Sequence, residues 1–481
     1  MPDLDPSFID ALSRAAAHAV AFRNGLDTRP QRPELNYAQM LERFAQALPD
    51  SGENAESVID RLATLAAPGL GAMPGRRFFG WVIGGSHPVG VAADWLTSAW
   101  GQNVGNHLAN PAGAACETVA AQWLLDLLDL PREASVGFVT GATMANFVGL
   151  AAARGEVLRR VGWDADAQGL FGAPPIEVLI GADAHATVFS ALQYLGLGHA
   201  RVTRVATTTA GHIDSVAFEQ ALQTVSGPAI VILQAGQINT GAFDDFARLI
   251  PLAHARGAWV HVDAAFGLWA RACPARAALA AGLQLADSWA TDGHKWLQTP
   301  YDCGYAIVRD SVAHERAMSI NASYLPTSVG DRDPSHLVPE LSRRARGFAT
   351  WAVISHLGRS GIAEMIERHC TMARRMAERI ARERGAVLIN DVLLNQAILR
   401  FGADESVAEG DRLTRAVIER VQHEGHCFVG GAEWRGRWVM RLSVIGFATR
   451  EADADRAADA IAAAWCAERD ADNDSNESQR P

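Results

Sequence analysis

Lysine is almost absent from this 481-residue chain, because Lys295 is the only lysine among its 43 lysine and arginine residues. Arginine replaces lysine on a solvated surface at little cost. Its guanidinium stays charged, however, whereas a lysine amine can lose its proton and act as a nucleophile. On one interpretation, the composition is simply biased toward arginine and a single lysine remains by accident. The alternative is that Lys295 is kept for chemistry, as a Schiff-base or general-base residue, and its surroundings must decide.

Other absences narrow the class of protein. No apolar stretch reaches the roughly 18–20 residues that cross a bilayer, and the first residues lack the basic and apolar regions of a signal peptide. The net charge is −11 and no basic run is present, so we expect neither a membrane nor a nucleic-acid partner. The 6 cysteines are scattered without a C-x-x-C pair, which is typical of reduced thiols in a cytoplasmic protein.

The chain length predicts more than one domain. An N-terminal helical segment, 1–75, is expected to pack on a partner subunit through an apolar stripe at helical spacing. Alternating strands and helices over 76–345 predict a large α/β domain with a mainly parallel sheet. The pattern of residues 346–468 predicts a smaller α+β domain. The polar tail, 469–481, is predicted to be disordered. The residues of the N-terminal stripe are Phe8, Ile9, Leu12, Ala15, Ala16 and Ala19.

Asp263 and Lys295 follow two apolar, strand-like stretches. Their spacing suits one strand–helix–strand crossover of about 30 residues, with the helix expected over 275–286. Parallel neighbouring strands bring both residues to the carboxyl edge of the sheet, where α/β proteins bind ligands. Asp263 alone could be a helix cap or a surface carboxylate. A buried acid beside a lysine is what a pyridoxal-phosphate enzyme requires.

Two further turns fit such a cofactor. A strand ending at Thr140 is followed by a small-residue turn and a helix. The backbone N–H groups of Gly141, Ala142 and Thr143, with the helix dipole, form an anion site. His185 lies between a strand and a helix, where a histidine alone is more often a cap or a packed residue. Beside a pyridine ring, its imidazole could stack.

Three stretches, "HVDAAFG" (261–267), "DSWATDGHKW" (287–296) and "DCGYAIVRD" (302–310), resemble in this order the group II pyridoxal-phosphate-dependent amino-acid decarboxylases, which include the aromatic-L-amino-acid decarboxylases. The resemblance implies the aspartate-aminotransferase fold (fold type I) with a smaller C-terminal α+β domain. It also implies pyridoxal 5'-phosphate as cofactor, a homodimer, and decarboxylation of a small L-amino acid, aromatic in some members.

The resemblance assigns five residues to the cofactor ring. Lys295 holds the cofactor as a Schiff base, and Asp263 pairs with the pyridine nitrogen. Ala265 lies under the ring, and His185 stacks on its other face. Asn239 lies near the ring hydroxyl.

The phosphate is assigned to His294 and to the turn of Gly141, Ala142 and Thr143. One residue departs from the family pattern here. Asp292 stands where aromatic decarboxylases have an asparagine that contacts the phosphate. A carboxylate facing a phosphate is unexpected, so Asp292 is expected to point away or to be paired.

The resemblance also implies a substrate pocket and a mobile loop, 324–340, that closes over it. Typical members carry in this loop a tyrosine that protonates the carbanion after carbon dioxide leaves. Tyr324 lies earlier than the expected place, and His336 is the nearest expected donor. Members without that tyrosine can divert to oxidative deamination, which gives aldehydes. The residues expected to line the pocket, unless they serve the core or an interface, are Trp81, His87 and His107.

Other interpretations remain open from the sequence. Transamination, carbon–carbon lysis and oxidation to an aldehyde are possible on the same scaffold. In a metal-dependent hydrolase, His261 with Asp263 and Asp292 with His294 would be ligands, and "HEGH" at 423–426 is another possible cluster. That class leaves the single lysine unexplained. A catalytically silent binding protein would be expected to have lost it.

Overall fold

A computed structural model describes residues 6–319 and 332–477. It divides the chain into two compact units. The large unit comprises Ser86–Arg374 and Leu388–Ile398. The small unit combines the chain up to Gly85 with Arg375–Val387 and the chain from Leu399 onward. The predicted division into 1–75, 76–345, 346–468 and 469–481 stays a prediction.

Helices make up much of both units. In the long helix α12, Gly358 has non-helical backbone angles and marks a kink. The helices are α1 (Pro6–Asn24), α2 (Tyr37–Phe44), α3 (Ala55–Ala66), α4 (Pro88–Trp100), α5 (Pro111–Leu127), α6 (Ala142–Arg159), α7 (Ala165–Gln168), α8 (Ala186–Tyr194), α9 (Ser215–Gln223), α10 (Phe246–His254), α11 (Ser311–Met318), α12 (Arg346–Ile380), α13 (Val407–Glu424) and α14 (Glu451–Glu477).

The strands form two sheets. Those of the central sheet are β1 (Ser135–Val139), β2 (Glu177–Gly181), β3 (Thr203–Val205), β4 (Ala229–Gln234), β5 (Trp259–Asp263), β6 (Ser288–Asp292) and β7 (Gly304–Val308). The second sheet contains β8 (Ala386–Leu388), β9 (Gln396–Phe401), β10 (Gly430–Trp434) and β11 (Arg437–Ser443).

The central sheet has the order β1-β7-β6-β5-β4-β2-β3. Strand β7 is antiparallel to both of its neighbours, and the other pairs are parallel. Every residue of β5, β6 and β7 is buried, as expected for strands covered on both faces. The smaller sheet has the order β10-β11-β9-β8. This architecture confirms the predicted α/β fold with a mainly parallel sheet and a smaller α+β part.

Two predicted local structures differ from the observed ones. The crossover expected to be a helix over 275–286 consists of short 3₁₀ segments, including Ala277–Ala280 and Leu283–Leu285. Gly282 interrupts it with a φ of +83°, and a Cβ there would lie 2.5 Å from the Cα of Ala247. Helix α14 continues to Glu477, so the described part of the predicted disordered tail is helical. The alanine-rich start of α14 favours this continuation.

Within residues 6–319 and 332–477, no helix combines the length and the apolar character needed to span a bilayer.

Candidate active site

The two strands that end in Asp263 and Asp292 are neighbours in the central sheet. Asp263 is the last residue of β5 and lies opposite Ala290 of the parallel strand β6, which ends at Asp292. Lys295 follows three residues later. The structure therefore brings Asp263, Asp292 and Lys295 to the carboxyl edge of the sheet, the edge that the sequence spacing predicted.

Asp292 connects the lysine to the start of helix α6. One carboxylate oxygen, Oδ2, lies 3.2 Å from the Nζ of Lys295. The other, Oδ1, accepts a hydrogen bond from the N–H of Ala142, the first residue of α6, at 2.6 Å. The same oxygen lies 3.5 Å from the Nε2 of His294. Asp292 is therefore paired and buried, one of the two possibilities left open by the sequence.

Asp263 is a buried carboxylate with an unused acceptor. Asp263 is 4 % exposed, and its Oδ1 has no hydrogen-bond partner among the residues that the structure describes. Burial raises the pKa of Asp263, while the nearby charges of His185 and Lys295 oppose the rise. A buried acceptor without a donor is costly, and the N–H of a pyridinium ring would satisfy it. These residues therefore fit pyridoxal phosphate.

His185 caps the start of helix α8. Its Nδ1 lies 2.8 Å from the Oγ1 of Thr187 and accepts the backbone N–H of Thr187 at 3.4 Å. These contacts fix one edge of the imidazole. Sequence reasoning missed Thr187, although a hydroxyl residue two positions after a helix cap is a recognisable signal.

Ala265 and Asn239 lie in the segments that follow β5 and β4. The carbonyl of Ala265 accepts the N–H of Asp292 at 2.9 Å, which ties the two strand ends together. Asn239 is buried, and its backbone N–H donates to the Oε1 of Gln237 at 2.6 Å. The Oδ1 of Asn239 has no partner within the described part of the chain. It is a second buried acceptor in this part of the unit.

His294 is held as a neutral imidazole. Burial lowers the pKa of His294, and its Nδ1 accepts the N–H of Cys303 at 3.4 Å. Its ring packs against Tyr301, with the ring centres 4.3 Å apart. Burial also raises the pKa of Tyr301 to about 12, so its hydroxyl keeps its proton at neutral pH. Sequence reasoning missed Tyr301, six residues beyond the lysine.

The turn before α6 depends on close packing of backbone. A Cβ on Gly304 would lie 2.5 Å from the Cα of Gly141. A Cβ on Gly141 would lie 3.1 Å from the Cε1 of His294 and 3.3 Å from the Oδ1 of Asp292. Larger residues would push the turn away from both side chains. Thr143, the third residue assigned to phosphate, is exposed at its side chain.

Two of the remaining predicted residues share a buried acid. The Nδ1 of His107 lies 2.7 Å from the Oδ1 of Asp333, and the Nε2 of His336 lies 3.9 Å from its Oδ2. Asp333 is 226 positions from His107, so no local pattern pointed to this pair. The segment 320–331, which includes Tyr324, lies outside the described residues.

His87 and Trp81 belong to different units. The N–H of His87 donates to the carbonyl of Gln298 at 2.7 Å, which connects His87 to the turn that follows Lys295. Trp81 belongs to the small unit, where its half-exposed ring packs on Phe428 with the ring centres 5.5 Å apart. Its assignment to the substrate pocket stays a prediction.

The geometry does not favour the metal interpretation. Both ring nitrogens of His261 are engaged at 2.8 Å, Nδ1 with the hydroxyl of Ser288 and Nε2 with the Oδ1 of Asn146. His261 therefore serves a buried network rather than a site shared with Asp263. Within the described ranges, no group of three or more potential ligands could hold a metal ion.

The pyridoxal-dependent decarboxylase conserved domain matches residues 38–400, which is more than half of the chain. The chain belongs to this family. It is a pyridoxal-phosphate-dependent amino-acid decarboxylase, a carboxy-lyase, as the resemblance implied.

Known relatives and solved structures agree with this assignment. Aromatic-L-amino-acid decarboxylase of Bacillus atrophaeus is 24% identical over 432 residues, with 88% of each chain covered. Phenylacetaldehyde synthase of Arabidopsis thaliana is 25% identical over 418 residues, covering 82% of this chain and 83% of its own. The crystal structure of Oryza sativa TDC with PLP and tryptamine superposes with a TM-score of 0.89 at 23% identity, covering 97% of this chain and 99% of that one. This likeness shows the fold.

The raised pKa of Asp263 predicts how its replacement changes the stability of the cofactor-free protein. The folded state binds the Asp263 proton more tightly than the unfolded chain, so stability falls as pH rises from the ordinary carboxyl pKa through the raised one. Asp263→Asn removes this cost, and we expect it to stabilise the cofactor-free protein by about 1–3 kcal/mol at pH 8. The gain should shrink toward pH 4. Urea unfolding at both pH values measures it.

Asp214→Asn is the matched control for this change. Asp214 caps helix α9 through its side chain, and asparagine caps helices about as well. The control should therefore change stability little at pH 8. A destabilised Asp263→Asn protein at pH 8 would contradict the cost assigned to the buried carboxylate.

Proposed function

We propose that this enzyme decarboxylates an aromatic L-amino acid through a Schiff base between pyridoxal phosphate and Lys295. The observation that carries the proposal is the pairing at one sheet edge of the only lysine in the chain with a buried carboxylate that has an unused acceptor. When bound, the cofactor supplies an electron sink for the bond between Cα and the carboxylate of the substrate.

Each residue of the edge has a part in this reaction. Lys295 offers the amine for attachment and is oriented by Asp292 at 3.2 Å. Asp263 would accept the N–H of the ring and hold its nitrogen in the protonated form. His185, whose Nδ1 contacts Thr187, would stack on one face of the ring, and Ala265 would lie at the other. The buried Oδ1 of Asn239 would accept the ring hydroxyl.

We propose that the phosphate of the cofactor binds at the start of α6. The N–H groups of Gly141, Ala142 and Thr143, with the positive end of the helix dipole, attract the anion. His294 contributes a hydrogen bond from a neutral imidazole, consistent with its lowered pKa. The turn can approach a ligand closely because Gly141 has no side chain.

The names of the relatives support an aromatic substrate, since they include an aromatic-L-amino-acid decarboxylase and a phenylacetaldehyde synthase. We infer that His87 and His107 of the large unit line the substrate pocket. A panel of L-amino acids assayed for amine release tests the substrate class. Turnover confined to small or acidic amino acids would overturn the aromatic assignment.

A second product is possible on the same site. Phenylacetaldehyde synthase is among the relatives, and oxidation would convert the amino acid, dioxygen and water into aldehyde, carbon dioxide, ammonia and hydrogen peroxide. The same panel, assayed for aldehyde and peroxide as well as amine, separates the two reactions.

Replacing the lysine should abolish turnover but not cofactor binding. In Lys295→Arg the guanidinium keeps its charge and cannot form the Schiff base, so we expect activity to fall by at least about a thousandfold. Ring and phosphate contacts should still hold pyridoxal phosphate noncovalently. The rate of product release and the cofactor retained after gel filtration are the measurements. Arg256→Lys adds a lysine at an exposed position as a control and should keep the wild-type rate. Near-wild-type turnover by Lys295→Arg would remove the Schiff-base assignment.

We propose His336 as the proton donor that ends the decarboxylation, because its imidazole belongs to the segment 324–340 and lies 3.9 Å from the buried carboxylate of Asp333. If it donates that proton, His336→Ala should lower amine formation by about a hundredfold and raise the share of aldehyde. Product ratios by chromatography measure both effects. Tyr324→Phe, assayed in parallel, tests the tyrosine of the loop as the donor. An unchanged rate and product ratio in His336→Ala, with a changed ratio in Tyr324→Phe, would move the role to the tyrosine.

We also propose a homodimer. Phe8, Ile9 and Leu12 of α1 are each at least 50 % exposed in the single chain, which leaves an apolar helix face uncovered. A second copy would bury this face, as the predicted stripe anticipates.

Charge placed on the apolar face should weaken the dimer. We expect wild-type protein to sediment as a dimer and Leu12→Arg to shift toward monomer at micromolar concentration, because the buried face cannot solvate a guanidinium. Ala17→Arg adds the same charge to an exposed position of the same helix and should leave the dimer intact. Wild-type protein that is catalytically active as a monomer would contradict the proposed homodimer.

A further inference from the structure

Asp292 lies at the helix end where we place the phosphate of the cofactor. Asp292 is 2 % exposed, and each of its carboxylate oxygens has a partner. Oδ1 accepts the N–H of Ala142 at the start of α6, and Oδ2 pairs with the amine of Lys295. One N–H of the anion site at this helix end, that of Ala142, is therefore already bonded to a carboxylate of the chain itself.

The surroundings keep this carboxylate in place. Gly141 leaves the space that the carboxylate enters, since a Cβ there would lie 3.3 Å from Oδ1. The backbone N–H of Asp292 is fixed by the carbonyl of Ala265 at 2.9 Å. Trp269 donates its indole N–H to the carbonyl of Asp292 at 3.0 Å. These two bonds hold the backbone of residue 292 on both sides and keep its side chain at the start of α6.

We propose that Asp292 is an internal anion that competes with the cofactor's phosphate for the N-terminus of α6, so that residue 292 sets how strongly the site prefers pyridoxal phosphate over pyridoxal. The inference rests on the proposed placement of the phosphate at this helix end. Two anions at one group of donors repel each other, most strongly in a buried site. The phosphorylated cofactor meets this repulsion, and pyridoxal does not.

An asparagine at 292 keeps the shape of the side chain and removes its charge. Its carbonyl oxygen can still accept the N–H of Ala142, and its amide can donate to a phosphate oxygen. The repulsion therefore becomes an attraction, whereas the contacts of the pyridine ring with Asp263 and His185 are unchanged. The change also removes the ion pair with Lys295 at 3.2 Å, but that loss is common to pyridoxal phosphate and pyridoxal, so the difference between the two reports on the phosphate.

The test compares cofactor-free wild-type protein with Asp292→Asn, titrated with pyridoxal phosphate and separately with pyridoxal. Binding is followed by tryptophan fluorescence and by the visible absorbance band. We expect the dissociation constant for pyridoxal phosphate, relative to that for pyridoxal, to fall by about tenfold in Asp292→Asn. Inorganic phosphate should likewise compete with the cofactor more strongly in the variant.

Asp287→Asn is the matched control, because Asp287 immediately precedes β6, the strand that ends at Asp292. Its carboxylate accepts the N–H of Val260 at 2.7 Å, an acceptor role that an amide can keep. The control makes the same change of charge at the opposite end of the strand and should alter neither dissociation constant.

The outcomes separate this inference from the proposed function. An affinity for pyridoxal phosphate that is unchanged or weaker relative to pyridoxal in Asp292→Asn, with the visible band intact, overturns the inference alone, because Asp292 would then act on the lysine or the ring. Absence of a borohydride-sensitive band from the wild-type protein overturns the Schiff-base assignment instead, and the fluorescence affinities still decide the role of Asp292.

Discussion

The charge balance at the carboxyl edge of the central sheet is the constraint on which the site depends. Two buried carboxylates, Asp263 and Asp292, face a single amine, Lys295. Asp292 is satisfied by that amine and by the start of α6, but Asp263 keeps an unused acceptor. Unpaired buried charge is expensive, so the fold carries a cost that only a cationic donor offsets. The pyridinium of the family's cofactor is such a donor.

Two buried residues of β5, close to this edge, have different roles, one structural and one chemical. His261 and Asp263 are two positions apart on β5. Burial lowers the pKa of His261 to about 3, and both of its ring nitrogens are engaged in a network with Ser288 and Asn146. His261 thus links β5 to β6 and α6 as a neutral residue. Asp263, at the end of the strand, is left open toward a ligand.

Much of the fold could be predicted because its signals are local. Short apolar runs alternate with helical stretches, and the spacing between Asp263 and Lys295 predicted the correct sheet edge. The crossover between them was predicted wrongly as a helix, because alanine-rich sequence is typical of helices and the packing of Gly282 on Ala247 is a tertiary contact. Tertiary context overrode propensity there.

The site could be predicted only in part. The single lysine and the turn before α6 were visible in the sequence, and the family pattern marked Asp292 as unusual. The partners of Asp292 could not be read, because Ala142 is 150 positions away in the chain. The same holds for Asp333, which lies close to both His107 and His336 although His107 is 226 positions away in the chain. Contacts of this kind arise from the fold, and one sequence contains no local pattern for them.

Attachment of the cofactor to Lys295 can be tested directly, because the chain has a single lysine. Protein loaded with pyridoxal phosphate, reduced with borohydride, digested and mapped by mass spectrometry has only that lysine and the terminal amine as possible sites of attachment. We expect a pyridoxyl-phosphate mass increment on the peptide that contains Lys295 and none at the amino terminus. An unmodified Lys295 peptide from fully loaded, active enzyme would contradict it.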